Sequence, residues 1–342
     1  MVMKQHGLFD EAERLQKLSK LGDSLEKLNK YIDWESFRKC LTKSLKTEAK
    51  GPGGRPPYDY LMMFKVLILQ RMYNISDEQC EYQVNDRLSF QRFLGLSLGD
   101  TVPDAKTIWN FREELNQANM LDTIFYGFVK QLEAKGIITR SGSIIDATFV
   151  EVPRQNNTKE ENKQIKQGCI PQEWENEENR HKREQKDVDA RWTTKNKQRY
   201  YGYKNHIKID KKSKIIIKYK TTSAEVHDSQ ELKNLIEARK DKILYGDSAY
   251  TGKEVQKCIP KTVLNRINEK GYRNRPLTKT QKSNNKHKSK IRARVEHVFA
   301  AINNLGEILI RTIGIKRAEM QIGLMNLTYN FRRYAYLMGV KA

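Results

Sequence analysis

Hydrophobic positions along the chain change period once, near Gly136. Upstream they recur at spacings of three and four, as expected of helices with one buried stripe. Leu15, Leu18, Leu21, Leu25 and Leu28 form such a stripe, and Trp34, Phe37 and Leu41 continue it. Residues 1–50 therefore read as amphipathic helix with a core or dimer face. GPGGRPP at 51–57 breaks the pattern and predicts a loop or flexible joint, where Arg55 either touches a phosphate or is solvated. Tyr58 to about Leu94 is strongly helical, and Leu61–Tyr73 is apolar enough to be the buried centre of a small helical domain. Ser76-Asp77-Glu78-Gln79 has the form of a capped helix start, and Thr101-Val102-Pro103-Asp104 opens another helix, AKTIWNFREEL. Short helices with tight turns suit a helix-turn-helix, with Lys106 and Arg112 as its basic positions, and suit a structural bundle equally well.

Downstream of Gly136 the pattern predicts strands. Ser141–Val150, SGSIIDATFV, has the length and β-branched composition of a strand buried on both faces. Residues 154–199 are polar and charge-dense with little to bury, which predicts an insertion or mobile arm. Strands at 201–210 and 214–224 follow, joined by a tight turn at Lys211-Lys212-Ser213. A helix capped by Asp228 runs through Leu232, Leu235 and Ile236; then come a strand at 242–250, a short helix at 252–258 and a strand at 261–267. Residues 270–294 hold ten Lys or Arg and no acid, and read as a flexible loop. The next helix begins near Lys290, with Ile291, Val295, Val298, Phe299 and Ile302 on one face. Met320–Met338 is a last amphipathic helix. The order predicts an all-helical N-terminal domain over 1–136 and an α/β domain with a mixed sheet and flanking helices over 137–342.

Charge narrows the function. Lys plus Arg number 64 against 42 Asp plus Glu, a net charge of +22 over 342 residues. Such an excess suits a polyanionic partner, because each phosphate neutralised releases counterions. Cys40, Cys80, Cys169 and Cys258 are scattered, without metal-finger spacing, which fits a reducing compartment. The N-terminus lacks an apolar signal core, and LMMFKVLIL at 61–69 is too short to span a bilayer, so a cytoplasmic, nucleoid-associated protein without membrane contact is expected.

Asp146 stands alone in its apolar strand. Burying it costs on the order of several kcal/mol unless it is hydrogen-bonded, paired or bound to metal. Asp247 lies in a similar setting in LYGDSAY, and Glu296 lies beside the apolar stripe of the helix after the basic segment, with Arg292 four residues before it on the same side. Carboxylates from a first strand, a later parallel strand and a final helix suit a two-metal phosphodiester site with oxygen ligands for Mg²⁺ or Mn²⁺.

As a set, IIDAT, YGYKNHIKID, AEVHDS, GDSAY and RARVEHVF resemble bacterial insertion-sequence transposases with an Asp-Asp-Glu active site, most nearly the insertion-sequence-five family. GGRPPYDYLMMFKVLILQ and VPDAKTIWNFRE extend the resemblance over nearly the whole chain. It implies an RNase H-like α/β domain behind a helical domain, and Mg²⁺ as cofactor, with Mn²⁺ able to substitute. The family's catalytic, metal-holding acids fall on Asp146, Asp247 and Glu296, and its Arg-x-x-x-Glu signature on Arg292 and Glu296. Related families place a Tyr three residues before that Arg, where this chain has Ser289.

The expected activity is DNA cleavage and strand transfer at the ends of an insertion sequence, by a homo-oligomer joining terminal inverted repeats to target DNA. Alternatives are an RNase H-like nuclease without strand transfer and a catalytically silent DNA-binding remnant. Arg292, Arg294, Lys290 and Lys204 are the expected DNA contacts, with Lys208 behind them. Trp192 either stacks on a splayed base or packs under the insertion.

Overall fold

The computed structural model describes residues 9–45, 56–195, 197–306 and 309–341. Most of the joint predicted at 51–57, Arg55 included, lies outside the described residues. The chain divides into two compact units, Met1–Ile124 with Leu327–Ala342, and Phe125–Asn326.

The first unit is helical: α1 (Asp10–Leu21), α2 (Ser24–Tyr31), α3 (Glu35–Leu45), α4 (Tyr60–Tyr73), α5 (Asp77–Asp86), α6 (Leu88–Leu94) and α7 (Ala105–Gln117). The leucine stripe is cut at Gly22, where the backbone turns left-handed and Asp23 caps α2 through the Leu25 amide at 2.8 Å. Leu21 is therefore exposed and joins no core. Helix α4 is apolar all round and correspondingly buried, from Leu61 to Leu69 apart from Lys65. Ser76 and Asp104 cap α5 and α7 as their spacing predicts. Trp34 packs edge-on against Phe93 and Phe331, with centroids 5.6 and 5.2 Å away.

The second unit follows α8 (Met120–Ala134) with β1 (Ser143–Glu151), α9 (Lys159–Lys166), α10 (Arg180–Gln185), β2 (Arg191–Lys195), β3 (Gln198–Asp210) and β4 (Ile216–Ser223). Then come α11 (Leu232–Leu235), β5 (Ile243–Tyr245), α12 (Lys253–Lys257), β6 (Leu264–Asn265), α13 (Lys279–Asn303) and α14 (Ile315–Lys341), the last of which belongs to the first unit from Leu327 on. The sheet runs β4-β3-β1-β5-β6, with β2 on the N-terminal end of β3. β1 is antiparallel to β3 from Ser143↔Asp210 to Glu151↔Gly202, and β1, β5 and β6 are parallel to one another. This is the RNase H-like arrangement of an antiparallel start extended by parallel strands. Gly202 is required by its setting: its φ is 141° and a Cβ there would collide with the Val150 carbonyl oxygen. One sheet face is closed by Ile145, Leu232, Leu235, Leu244, Tyr250, Val263 and Ile267.

Three expectations fail for local reasons. Residues 154–199 are not an arm with nothing to bury. Trp174 is buried and its indole N–H donates to Glu161 at 2.7 Å, while Thr158 and Glu161 form a capping box that starts α9. The basic segment is helix from Lys279 onward, not loop to Lys290, because Thr278 and Gln281 form a second capping box and Asn285 exchanges two 2.9 Å bonds with Glu269. The strands predicted at 242–250 and 261–267 shrink to three and two residues.

Candidate active site

β1 brings Asp146 into the middle of the sheet, between β3 and β5. Its Oδ1 accepts from the Ala147 amide at 2.9 Å and its Oδ2 from Arg292 Nη1 at 2.8 Å. Asp247 lies two residues past the end of β5 rather than within a strand. There it caps the short 3₁₀ turn Ser248–Tyr250 by accepting from the Ala249 amide. Arg292 and Glu296 sit one turn apart on α13, and Arg292 Nη2 donates to Glu296 Oε1 at 3.3 Å. One guanidinium thus bridges a strand carboxylate that is 13% exposed and a helix carboxylate that is 61% exposed.

The electrostatics are those of an acid site in need of cations. Burial pushes the Asp146 carboxyl up to about 6. The Ala147 amide and Arg292 pull it back, and the Asp247 charge pushes it further up. Tyr250, at the end of the same 3₁₀ turn, is buried with a hydroxyl that has no hydrogen-bond partner among the described residues. Its pKa is raised well above the ordinary value by burial first, then by the charges of Asp146, Asp228 and Asp247. Nothing in the sequence pattern singled out Tyr250; its signal is only its place three residues after Asp247.

Other predicted residues are placed elsewhere. Lys204 is not free for DNA: its ammonium meets the Val226 carbonyl at 2.7 Å and Asp228 at 2.9 Å, and the side chain is nearly buried. Lys208 is fully buried, with Asp241 at 2.9 Å and Glu237 at 2.7 Å. Asp228 is not the predicted cap; His227 caps the turn by accepting from the Ser229 amide. Arg294 is exposed and donates to the Lys211 carbonyl at 2.8 Å, and Lys290 is exposed on the same helix.

Two family models match the chain: a transposase domain of the DUF772 type over residues 13–114, and a transposase DDE domain over residues 138–331. The second covers more than half of the chain. The protein belongs to the transposase DDE domain family. It is a DNA transposase. Among solved structures, it is similar to the piggyBac transposase in a cryo-EM synaptic complex with hairpin DNA, at 11% identity and a TM-score of 0.44 over 95% of this chain and 77% of that one.

Transposase DDE domains generally use divalent metal ions. The donors here fit a hard divalent cation: Asp146 offers carboxylate oxygens from β1 and Asp247 from the turn that follows β5, and both charges bear on the buried Tyr250 hydroxyl. Glu296 is tied to Asp146 through Arg292, and among the described residues no three acid, His or Cys side chains already form a metal cluster. Arg292 offsets part of the cost of burying Asp146, and burial still outweighs it.

No helix among the described residues is long and apolar enough to cross a membrane.

Proposed function

We propose that this transposase belongs to the insertion-sequence-five group and acts on the ends of its own element through Asp146, Asp247 and Glu296. The reading rests above all on Arg292, which links Asp146 of the first strand to Glu296 of the late helix. Water attacks phosphorus and breaks the P–O3′ bond at the element end; the freed 3′-hydroxyl then attacks a target phosphodiester, one P–O bond forming as another breaks. Mg²⁺ or Mn²⁺, when bound, stabilises charge on the attacking and leaving oxygens. Asp146 on β1 and Asp247 in the turn after β5 would hold the cations, with Glu296 as the third carboxylate, and Arg292 would be free to meet a DNA phosphate. Arg292, Arg294 and Lys290 line that phosphate's approach along α13. Residues 1–136 form the helical part that recognises the terminal repeats, and a homo-oligomer brings two ends together. The protein works in the cytoplasm on the nucleoid.

The test is divalent-dependent cleavage and joining of DNA carrying the element ends. Wild type should cut and join, whereas Asp146→Asn and Glu296→Ala should bind but leave the DNA intact. Mutants that cut as well as wild type would reassign the acids. A wild type that cuts but never joins pre-cut ends would be a nuclease.

A further inference from the structure

The β2–β3 hairpin carries an aromatic side chain that neither the core nor the acid site uses. Trp192 is 38% exposed on a short edge strand, directly opposite Tyr201 of β3. The buried Tyr201 ring braces the indole from one side, 4.9 Å away at 37°. Two guanidiniums lie against the same indole, Arg199 at 4.8 Å and Arg154 at 5.7 Å from the ring centroid. Both arginines are exposed, and neither has a carboxylate or hydrogen-bond partner among the described residues. The insertion that leads to them is rich in exposed glutamates, Glu173, Glu175, Glu177 and Glu178 among them.

We propose that this hairpin is a second DNA site, where Trp192 stacks an unpaired nucleobase while Arg154 and Arg199 hold the phosphates on either side of it. The chemistry favours single-stranded DNA. An exposed indole takes any base on its π-face, and a cation displaced from the ring by the base stays within reach of the backbone. Register also gives the site a place in the reaction. Tyr201 and Ile207 lie six residues apart on β3, opposite Trp192 and Asp146 respectively, so Trp192 is on the Asp146 side of the sheet. At a strand rise of about 3.3 Å per residue the two are roughly 20 Å apart. The site would hold the strand flanking the cut, a few nucleotides from it, since an unpaired strand is more extended than a duplex strand. This deepens the transposase reading above and rests on it.

The experiment compares a duplex carrying the element end, blunt or with a short single-stranded tail, in buffer with a chelator. A 2-aminopurine is moved along the tail. Wild type should prefer the tailed duplex by about tenfold and quench 2-aminopurine at one position along the tail rather than uniformly. Trp192→Ala should lose both preference and quenching, and Trp192→Phe should keep most of each. Arg154→Ala and Arg199→Ala should each reduce the slope of log affinity against log salt by about 1. Melting curves for Trp192→Ala separate a lost site from a lost fold, and the Phe and Arg variants decide the matter if the Ala variant unfolds. Equal tail preference and quenching in wild type and Trp192→Ala, or unchanged salt slopes in both Arg variants, would mean that the arginines merely cover the indole. In a parallel assay with Mg²⁺ in place of the chelator, cleavage by wild type alongside that result overturns this site alone; absence of both binding and cleavage in wild type overturns the transposase reading with it.

Discussion

Asp146 carries a carboxyl pushed up to about 6 chiefly by burial, against an ordinary value near 4. In a chelating buffer this has a definite sign. Below about pH 4 the group is protonated folded or unfolded and contributes nothing. Between about 4 and 6 the unfolded chain ionises first, so stability falls, and above 6 the whole penalty is present. Asp146→Asn should therefore melt above wild type at pH 8, by on the order of 2 kcal/mol, and converge with it near pH 4. Coincident melts at pH 8 would mean that Arg292 already neutralises the group. Tyr250→Phe tests the orphaned hydroxyl differently. Removing a donor that has no partner should leave melting unchanged or slightly raised. If the hydroxyl serves a phosphate oxygen, cleavage should slow by about tenfold or more; a fully active Phe variant would show that it does not. Asp146 was legible in the sequence because a carboxylate in a β-branched run needs a reason. Tyr250 was not, because an aromatic in GDSAY looks like ordinary core and its orphaned oxygen exists only in three dimensions.

At the scale of elements, the sequence announced what hydrophobic periodicity can announce. β1, β3, α4 and the tail helix α14 came through as elements because each carries a sustained apolar run, although α14 is not the amphipathic helix expected over Met320–Met338: residues 322–331 are buried on every side. Elements held by side-chain hydrogen bonds did not. The N-terminal half of α13 has almost nothing apolar, and its order comes from the Thr278 capping box and the bonds between Asn285 and Glu269. The insertion was misread for the same reason: one tryptophan and one glutamate organise it. Burial would raise the Glu161 carboxyl, but Trp174, the Thr158 amide, Lys182 and Lys186 outweigh it and hold the group at about 2. Its contribution is therefore present above about pH 4.5 and fades as pH falls toward 2. Glu161→Ala strands the Trp174 indole N–H and the Thr158 amide, at a cost of about 1–3 kcal/mol for each buried donor. Limited trypsin digestion should then cut within 159–186 well before it cuts β1 or β3, while wild type resists at both. Equal digestion of the two proteins would show that the insertion is ordered without this glutamate.

For the whole molecule, the decisive quantity is the excess of 22 positive charges, and where the structure leaves it free. Lys204 and Lys208 are consumed internally by Asp228, Glu237 and Asp241, so raw charge counts overstate what DNA can meet. Arg154, Arg199, Lys290 and Arg294 remain exposed. Each phosphate neutralised contributes about 0.9 to the slope of log affinity against log salt. Six to ten contacts would weaken binding by about 10³–10⁵ between 50 and 200 mM salt. Lys204→Ala should leave that slope unchanged, since its ammonium already has two partners, whereas Lys290→Ala should lower it by about 1. Titrations of both variants across that salt range separate charge that binds DNA from charge that holds the fold. A flat response in wild type would place the excess charge in some other service and remove the electrostatic ground for reading α13 as a DNA-facing helix. A steep response that Lys204→Ala shared in losing would instead mean that the Lys204–Asp228 pair opens when DNA arrives.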